Sequence, residues 1–231
     1  MIVIPTFNPT QLLLNTLNDL DAYPELKVLP KLIVNDGSFN GREYLKEAKK
    51  YPAVSIIEHE ENKGKGAAIK TAMRHFLGNG SDFDFILTVD SDRQHLGRDV
   101  ISLVESIRRN GLGMHIGYRR LPKEKTPMRS FLGNLFSRKF LYCFYRIELQ
   151  DTQSGLRAYP KSCFRYLVEL KSQRYEFEME AIINMISRNV EIFETQIETV
   201  YLNSNQSSHF RPIVDSLKVL GIIVKLKFFK P

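Results

Sequence analysis

The stretch Phe85-Ile86-Leu87-Thr88-Val89-Asp90-Ser91-Asp92-Arg93-Gln94 is a short apolar and β-branched run that stops at two carboxylates one residue apart. A run of this length bounded by polar turn residues reads as a buried strand. The two aspartates at its end repel each other, and a divalent cation is the usual remedy. Their hard oxygen donors suit Mg²⁺ or Mn²⁺, with substrate phosphates completing the shell, so the pattern implies a bridged diphosphate. A solvated turn capping the next helix uses the same residue types, and the motif taken alone leaves both readings open. An aspartyl-phosphate enzyme would carry such a pair after its first strand, whereas here it follows the fourth.

Working outward, the segments before this strand alternate in the same way. Ile2 to Pro5 is followed by a helical pattern over Leu12 to Leu20, Leu32 to Asn35 by Tyr44 to Lys50, and Val54 to Glu58 by Ala67 to Leu77. The fourth strand leads into Val100 to Arg108. Alternation of this kind predicts an α/β fold around a parallel sheet. Right-handed crossovers put helices on both faces and bring the strand C-terminal ends to one edge, where open sheets bind ligands. Beyond it the pattern predicts a strand at His115 to Tyr118, helices at Met128 to Tyr145 and Phe177 to Asn189, and a strand at Ile192 to Tyr201. Arg119 to Pro127, charged and with two prolines, reads as a mobile loop. With no linker or internal repeat, one domain is expected.

The other strand ends carry their own signals. Leu32-Ile33-Val34-Asn35-Asp36-Gly37-Ser38 puts a carboxylate and a glycine turn at the same sheet edge, where Asp36 is able to accept from a base or ribose; a plain turn explains it equally well. Asn62-Lys63-Gly64-Lys65-Gly66 opens a helix with two lysines and two glycines, where unpaired N–H groups and the dipole favour phosphate. It lacks the ending of a phosphate-binding loop.

Bulk properties narrow the partners. The 231 residues carry 33 Lys and Arg against 26 Asp and Glu, a net charge of +7, which favours an anionic partner. The basic residues are scattered in short groups without a nucleic-acid signature, so nucleic acid is not expected. Cys143 and Cys163 lack metal-ligand spacing and read as buried free thiols of a reducing compartment. No signal-peptide pattern follows Met1 and no apolar run approaches the ~18 residues of a spanning helix, so cytoplasmic exposure is expected.

Taken together, Pro5-Thr6-Phe7-Asn8, the Asn35-Asp36-Gly37-Ser38 turn, the Asn62-x-Gly64-Lys65-Gly66 helix start and Asp90-x-Asp92 resemble, in order and spacing, the family 2 glycosyltransferases of the GT-A fold. Within that family the chain looks closest to the polyprenol-phosphate glycosyltransferases, the group of dolichol-phosphate mannosyltransferase. That closer likeness is carried by Gln94-His95, Ile116-Gly117-Tyr118-Arg119, Asp151-Thr152-Gln153-Ser154-Gly155-Leu156-Arg157, Phe177-x-x-Glu180 and Ser207-Ser208-His209-Phe210-Arg211-Pro212. Leu96 departs from the family's usual proline, Asn35 replaces the first of two aspartates, and His209 stands where some relatives have lysine.

The resemblance implies a GT-A, Rossmann-like, mostly parallel sheet filling a single domain over 1–231, with a nucleotide-sugar half to about 118 and an acceptor half from 119. It further implies inverting transfer of a sugar from a UDP- or GDP-linked donor to a polyprenyl phosphate, with a saccharide hydroxyl as the alternative acceptor and a non-catalytic nucleotide-sugar binding module as the remaining alternative. Carried over by residue, Pro5, Asn8 and Asp36 line the nucleoside pocket, Asp90, Asp92 and Gln94 surround Mg²⁺ or Mn²⁺, and Lys65, Arg119, Arg129, His209 and Arg211 face the donor's phosphates. Asp92, Arg119, Asp151 and Glu180 are the catalytic candidates, with Asp151 or Glu180 as base if the acceptor is a hydroxyl. Val219 to Lys230 mixes a short apolar run with lysines. It reads either as an interfacial segment on the cytoplasmic membrane surface or as a helix packed on the domain.

Overall fold

The computed structural model describes residues 1–80, 82–120, 128–198, 220–224 and 227, the side chains of 129 and 130 apart. The expected strand–helix alternation is present: β1 (Ile2–Thr6), α1 (Gln11–Asp21), a single turn α2 (Pro24–Lys27), β2 (Lys31–Asn35), α3 (Arg42–Ala48), β3 (Val54–Glu58), α4 (Lys65–Gly78), β4 (Phe85–Thr88) and α5 (Gly97–Asn110). Then come β5 (Met114–Arg119), α6 (Met128–Tyr145), β6 (Arg157–Pro160), α7 (Phe164–Leu167), α8 (Glu176–Ser187) and β7 (Ile192–Ile197).

The seven strands form one sheet in the order β3-β2-β1-β4-β6-β5-β7. All pairs are parallel except those of β6, which runs antiparallel between β4 and β5. The sheet is thus the mostly parallel, GT-A-like one expected. Ile2, Ile4, Ile33, Phe85 and Leu87 face one core with Leu13, Leu17 and Leu103, while Val3, Leu32, Val34 and Ile86 face a second core with Ile69, Met73 and Ile182. Burial on both faces is why the central strands read as unbroken apolar runs rather than as alternating ones.

Three expectations need correction. β6 and the short helices α2 and α7 carry no periodic signal and are additions. Cys163 is buried as expected, but Cys143 is exposed, because it sits on the outward side of α6. The last strand is described to Ile197; of the Arg119 to Pro127 loop, Arg119 closes β5 and 121–127 lie outside the described residues. In the tail, Ile223 is buried in the second core and the Tyr145 hydroxyl donates to its carbonyl, at 3.3 Å. Residues 220–224 are therefore packed on the domain.

Candidate active site

The C-terminal ends of β1, β2 and β4 and the start of α4 surround a cleft of about 500 Å³. Its floor is tied together by Asn8. At φ +49°, a conformation that asparagine tolerates better than most residues, Asn8 accepts from the Phe39 and Asn40 N–H groups at 3.1 Å through Oδ1, and its own N–H donates to Ser38 Oγ at 2.7 Å. The loops after β1 and β2 are thereby fixed to each other. Pro5, the next-to-last residue of β1, lines the same cleft.

Asp36 is buried at the cleft wall, where Oδ1 accepts from Lys63 N–H at 2.9 Å and Oδ2 from Gly64 N–H at 2.7 Å. The His59 ring bridges Asp36 Oδ1, at 2.7 Å, and Thr71 Oγ1, at 2.9 Å. Much of the hydrogen-bonding capacity of Asp36 thus goes into building the turn before α4. The turn needs its glycine at Gly64, where φ is +107° and any Cβ would run into Arg174.

Lys65 begins α4 but does not stand open to solvent. Its Nζ lies 2.7 Å from Asp90 Oδ1 and 3.0 Å from Glu178 Oε1, and the second Asp90 oxygen is 3.2 Å from His95 Nε2. Burial alone would raise the Asp90 pKa, but Lys65 and His95 outweigh it and hold the carboxyl well below the usual range. Burial likewise works against charge on Lys65, and the Asp90 and Glu178 carboxylates outweigh it, so the ammonium stays protonated. Asp92 is in the opposite situation. Burial, and then the neighbouring charge of Asp90, push its pKa up; it accepts from Gln94 N–H at 3.1 Å and from the Gln94 side-chain amide at 2.9 Å.

Asp92 is a cleft-lining carboxylate with incomplete charge compensation, which is the situation a divalent cation relieves. Among the described residues no cluster of three His, Cys, Asp or Glu could hold a metal by itself. The donors present, Asp92, Asp90 and the Gln94 amide, fit Mg²⁺ or Mn²⁺ if phosphate oxygens complete the shell.

Residues 152–157 seat the back of this site. Arg157, fully buried, donates to the carbonyls of Ser154 (2.8 Å), Glu178 (2.7 Å) and Thr152 (2.9 Å). Thr152 N–H donates to Asn134 Oδ1 of α6, at 3.0 Å, and the Thr88 hydroxyl donates to the Gly155 carbonyl, at 2.8 Å. Gly155 passes so close that a Cβ there would collide with the Asp90 carboxylate and the Lys65 ammonium.

Arg119 and Asp151 lie elsewhere. Asp151 is completely buried; Arg119 Nε donates to its Oδ2 at 2.7 Å, and Gln153 N–H to its Oδ1 at 2.9 Å. Burial pushes the Asp151 pKa up, but Arg119 and these N–H groups outweigh it and bring it below the ordinary value. Arg119, Arg120 and Arg138 line a second cavity of about 600 Å³, together with Phe131 and Leu135 of α6. The first cleft and this cavity separate residues that the sequence had grouped as one phosphate-facing set.

Glu180 is not brought to either place: buried on α8, it accepts from Ser172 N–H at 2.9 Å. The α8 residue that joins the Asp90 cluster, through the Lys65 ammonium, is Glu178, two positions earlier and so about 200° around the helix. Arg129 falls in the first turn of α6, with its side chain outside the described residues, as are His209 and Arg211. Glu178, Arg138 and the cleft-lining Arg174 were missed, since none carries a local motif.

Residues 1–168 match the family described as Glycosyl transferase family 2. Among curated relatives, the UDP-N-acetylglucosamine–dolichyl-phosphate N-acetylglucosaminyltransferase of Methanococcus voltae is 30% identical over 218 residues, covering 87% of this chain and 85% of that protein. The dolichyl-phosphate beta-glucosyltransferase of Saccharomyces cerevisiae is 25% identical over 252 residues, covering 98% and 73%. Glucosyl-3-phosphoglycerate synthase of Mycobacterium tuberculosis, solved in complex with Mn²⁺, UDP and phosphoglyceric acid, superposes with a TM-score of 0.74 at 16% identity, covering 100% of this chain and 78% of that one. At that identity the likeness is one of fold.

Proposed function

The chain belongs to glycosyl transferase family 2, and from that premise we propose that it moves a sugar from a UDP- or GDP-linked donor to a polyprenyl phosphate, with inversion, at the inner face of a membrane. The nucleoside lies along Pro5, Asn8 and Asp36, and the diphosphate lies toward Asp92, with Asp90, Asp92 and Gln94 as the protein's ligands for Mg²⁺ or Mn²⁺. When bound, that cation supplies positive charge to the departing diphosphate.

The acceptor's phosphate oxygen attacks the anomeric carbon, the bond from that carbon to the diphosphate oxygen breaks, and the nucleoside diphosphate leaves with the electron pair. One displacement inverts the centre. A phosphate monoester is already anionic near neutral pH, so the step needs no strong base. The observation that carries this reading is that both carboxylates expected as bases for a hydroxyl acceptor are engaged. Asp151 is buried against Arg119 with a lowered pKa, and Glu180 holds the Ser172 N–H.

The cavity lined by Arg119, Arg120 and Arg138 beside Phe131 and Leu135 supports the same reading: although Arg119 pairs with Asp151 and Arg138 Nε donates to the Leu149 carbonyl, at 2.6 Å, the three arginines give the cavity positive charge that suits a phosphate, and the apolar side chains suit the chain attached to it. α6 continues it outward. Met128, Leu132, Phe136 and Tyr142 are 40 to 55% exposed and fall within an arc of about 120°. The helix contains no acidic residue. A mostly apolar exposed face that also carries exposed Lys139 fits the boundary between acyl chains and anionic headgroups, where a lysine stem lies among the apolar side chains and its ammonium reaches the headgroups. No helix among the described residues is long and apolar enough to cross a membrane; the association we propose is a peripheral one, through this face of α6.

Release of nucleoside diphosphate from UDP- and GDP-sugars in Mn²⁺, with and without a short-chain polyprenyl phosphate, tests the proposal. The lipid phosphate should raise release strongly. Stimulation by a free oligosaccharide instead would give the reaction to a hydroxyl acceptor, and nucleotide binding without release would make the chain a binding module.

A further inference from the structure

Leu149 to Thr152 lie between α6 and β6 without regular structure, and side chains from neighbouring elements take up their backbone groups. Arg138 Nε of α6 donates to the Leu149 carbonyl at 2.6 Å, and Glu194 Oε1 of β7 accepts from the N–H groups of Gln150 and Asp151, at 2.8 and 3.4 Å. Asn134 of α6 does more than either. Its Nδ2 donates to the Gln150 carbonyl at 3.2 Å, and its Oδ1 accepts from the Thr152 N–H at 3.0 Å and the Thr152 hydroxyl at 3.1 Å. Ser137, about one turn further along α6, has its Oγ 2.6 Å from Thr152 Oγ1. Asn134, Ser137 and Thr152 are all buried, where unpaired polar groups would be costly.

The segment joins two places. On one side, Asp151 holds the Arg119 guanidinium at the second cavity, which α6 lines with Phe131, Leu135 and Arg138. On the other, the chain runs on to Ser154 and Gly155, which Arg157 and the Thr88 hydroxyl anchor beside Asp90. The donor end thus has its own ties to β4 and β6, and the Asn134 amide ties the α6 end. Asn134 is about 200° around α6 from both Leu132 and Phe136, so the helix turns its exposed apolar side outward and this buried amide inward.

We infer that Asn134 is a positioning residue that sets the acceptor cavity against the donor site. The inference rests on the cavity taking the acceptor's phosphate and the cleft taking the donor, as proposed above. Asn134 acts through the chain and touches neither substrate. With its amide bonded to Gln150 and Thr152, α6 does not slide or rotate without breaking buried hydrogen bonds, so the cavity stays in register with the segment that packs against Asp90. Attack of the phosphate oxygen on the anomeric carbon depends on that register, because a misplacement of about 1 Å costs roughly a hundredfold in rate. Binding of each substrate alone depends on it less, since each site keeps its own lining side chains.

Steady-state kinetics of the full chain with UDP- or GDP-sugar, Mn²⁺ and a short-chain polyprenyl phosphate in detergent test this. Asn134→Leu roughly keeps the shape and removes the amide. Its kcat at saturating lipid phosphate should fall about a hundredfold, with the KM for that lipid and the acceptor-free release of nucleoside diphosphate within about threefold of wild type. Thr152→Val removes one hydroxyl and keeps the N–H bond to Asn134, so it carries the test should Asn134→Leu fail to fold. It should lower kcat about tenfold, the scale of one hydrogen bond, and Thr152→Ser should restore it. An equal loss of transfer and of acceptor-free release would overturn the inference, making Asn134 a prop of the whole domain. An unchanged kcat would overturn it too, as would a raised KM alone, which would make Asn134 an acceptor-binding residue. A wild type whose release the lipid phosphate does not raise would instead overturn the acceptor reading on which the inference stands.

Discussion

The Lys65 ammonium lies 2.7 Å from Asp90 Oδ1, and this pairing divides the two aspartates after β4 into unlike partners. Asp90 is compensated by Lys65 and His95, inside a cluster closed by Glu178 and Gly155. Asp92 faces the cleft with its pKa raised. Alanine at the two positions should have different consequences. Asp92→Ala should abolish turnover and Mn²⁺-dependent nucleotide binding with little change in melting temperature, because it deletes a cleft ligand and no core volume. Asp90→Ala should also destabilise, by about 1–3 kcal/mol, because it strips one hydrogen-bonding partner from a buried lysine that keeps Glu178. Calorimetric melting with titration of nucleotide and Mn²⁺ separates them, and near-normal turnover of Asp92→Ala would remove the cation site.

Gly155 supplies a second prediction. Its missing Cβ is the space that the Asp90 carboxylate and Lys65 ammonium occupy, so Gly155→Ala should displace that pair and lose most of the donor turnover. The same substitution at Gly78, where a Cβ would meet nothing within 4 Å, should leave turnover intact. Equal activity of the two variants would show that the packing around Asp90 is slack.

The carboxyl of Asp151 is held below its ordinary value in the folded chain. A lowered folded-state pKa contributes stability above the unfolded value of about 3.9, and that contribution is lost as pH falls through the folded value. Asp151→Asn should therefore be less stable than wild type at neutral pH and show a shallower loss of stability below about pH 4. Denaturant melts between pH 3 and 7 measure both. Parallel curves for the two proteins would mean that the Arg119 pairing adds nothing to the fold.

The apolar face of α6 leads to a prediction about location. Replacing Leu132 and Phe136 with serine should leave the release of nucleoside diphosphate in detergent near wild type while reducing co-sedimentation with vesicles containing anionic lipid. Both side chains are at least 40% exposed, so little core packing is lost. Unchanged co-sedimentation would assign vesicle binding, if any, to another surface.

Much of this was legible in the sequence, and the reasons are physical. β1, β2 and β4 are buried on both sheet faces, so their apolar runs stand out, and the polar residues that end them mark the sheet edge where the cleft lies. β6 was not legible, because Arg157-Ala158-Tyr159-Pro160 puts a charge and a proline in a central strand; the charge is tolerated only because three carbonyls meet the guanidinium. Glu178 was hidden behind Glu180 because neighbouring acids on a helix look alike until their directions are known. Lys65 read as a phosphate ligand because its spacing shows the helix start but not the two carboxylates folded onto it. Arg138 and Arg174 look like ordinary surface residues in sequence. Tertiary structure alone brings them to a cavity and a cleft wall.

The most direct test of the account follows the sugar itself. Purified chain is given UDP- or GDP-sugar labelled in the sugar, Mn²⁺ and a short-chain polyprenyl phosphate, and the label is partitioned between water and organic solvent. The account predicts label in the organic phase, released by mild acid as free sugar, one for each nucleoside diphosphate formed. Label remaining in water at the rate of background hydrolysis, with a free oligosaccharide taking it up instead, would contradict it.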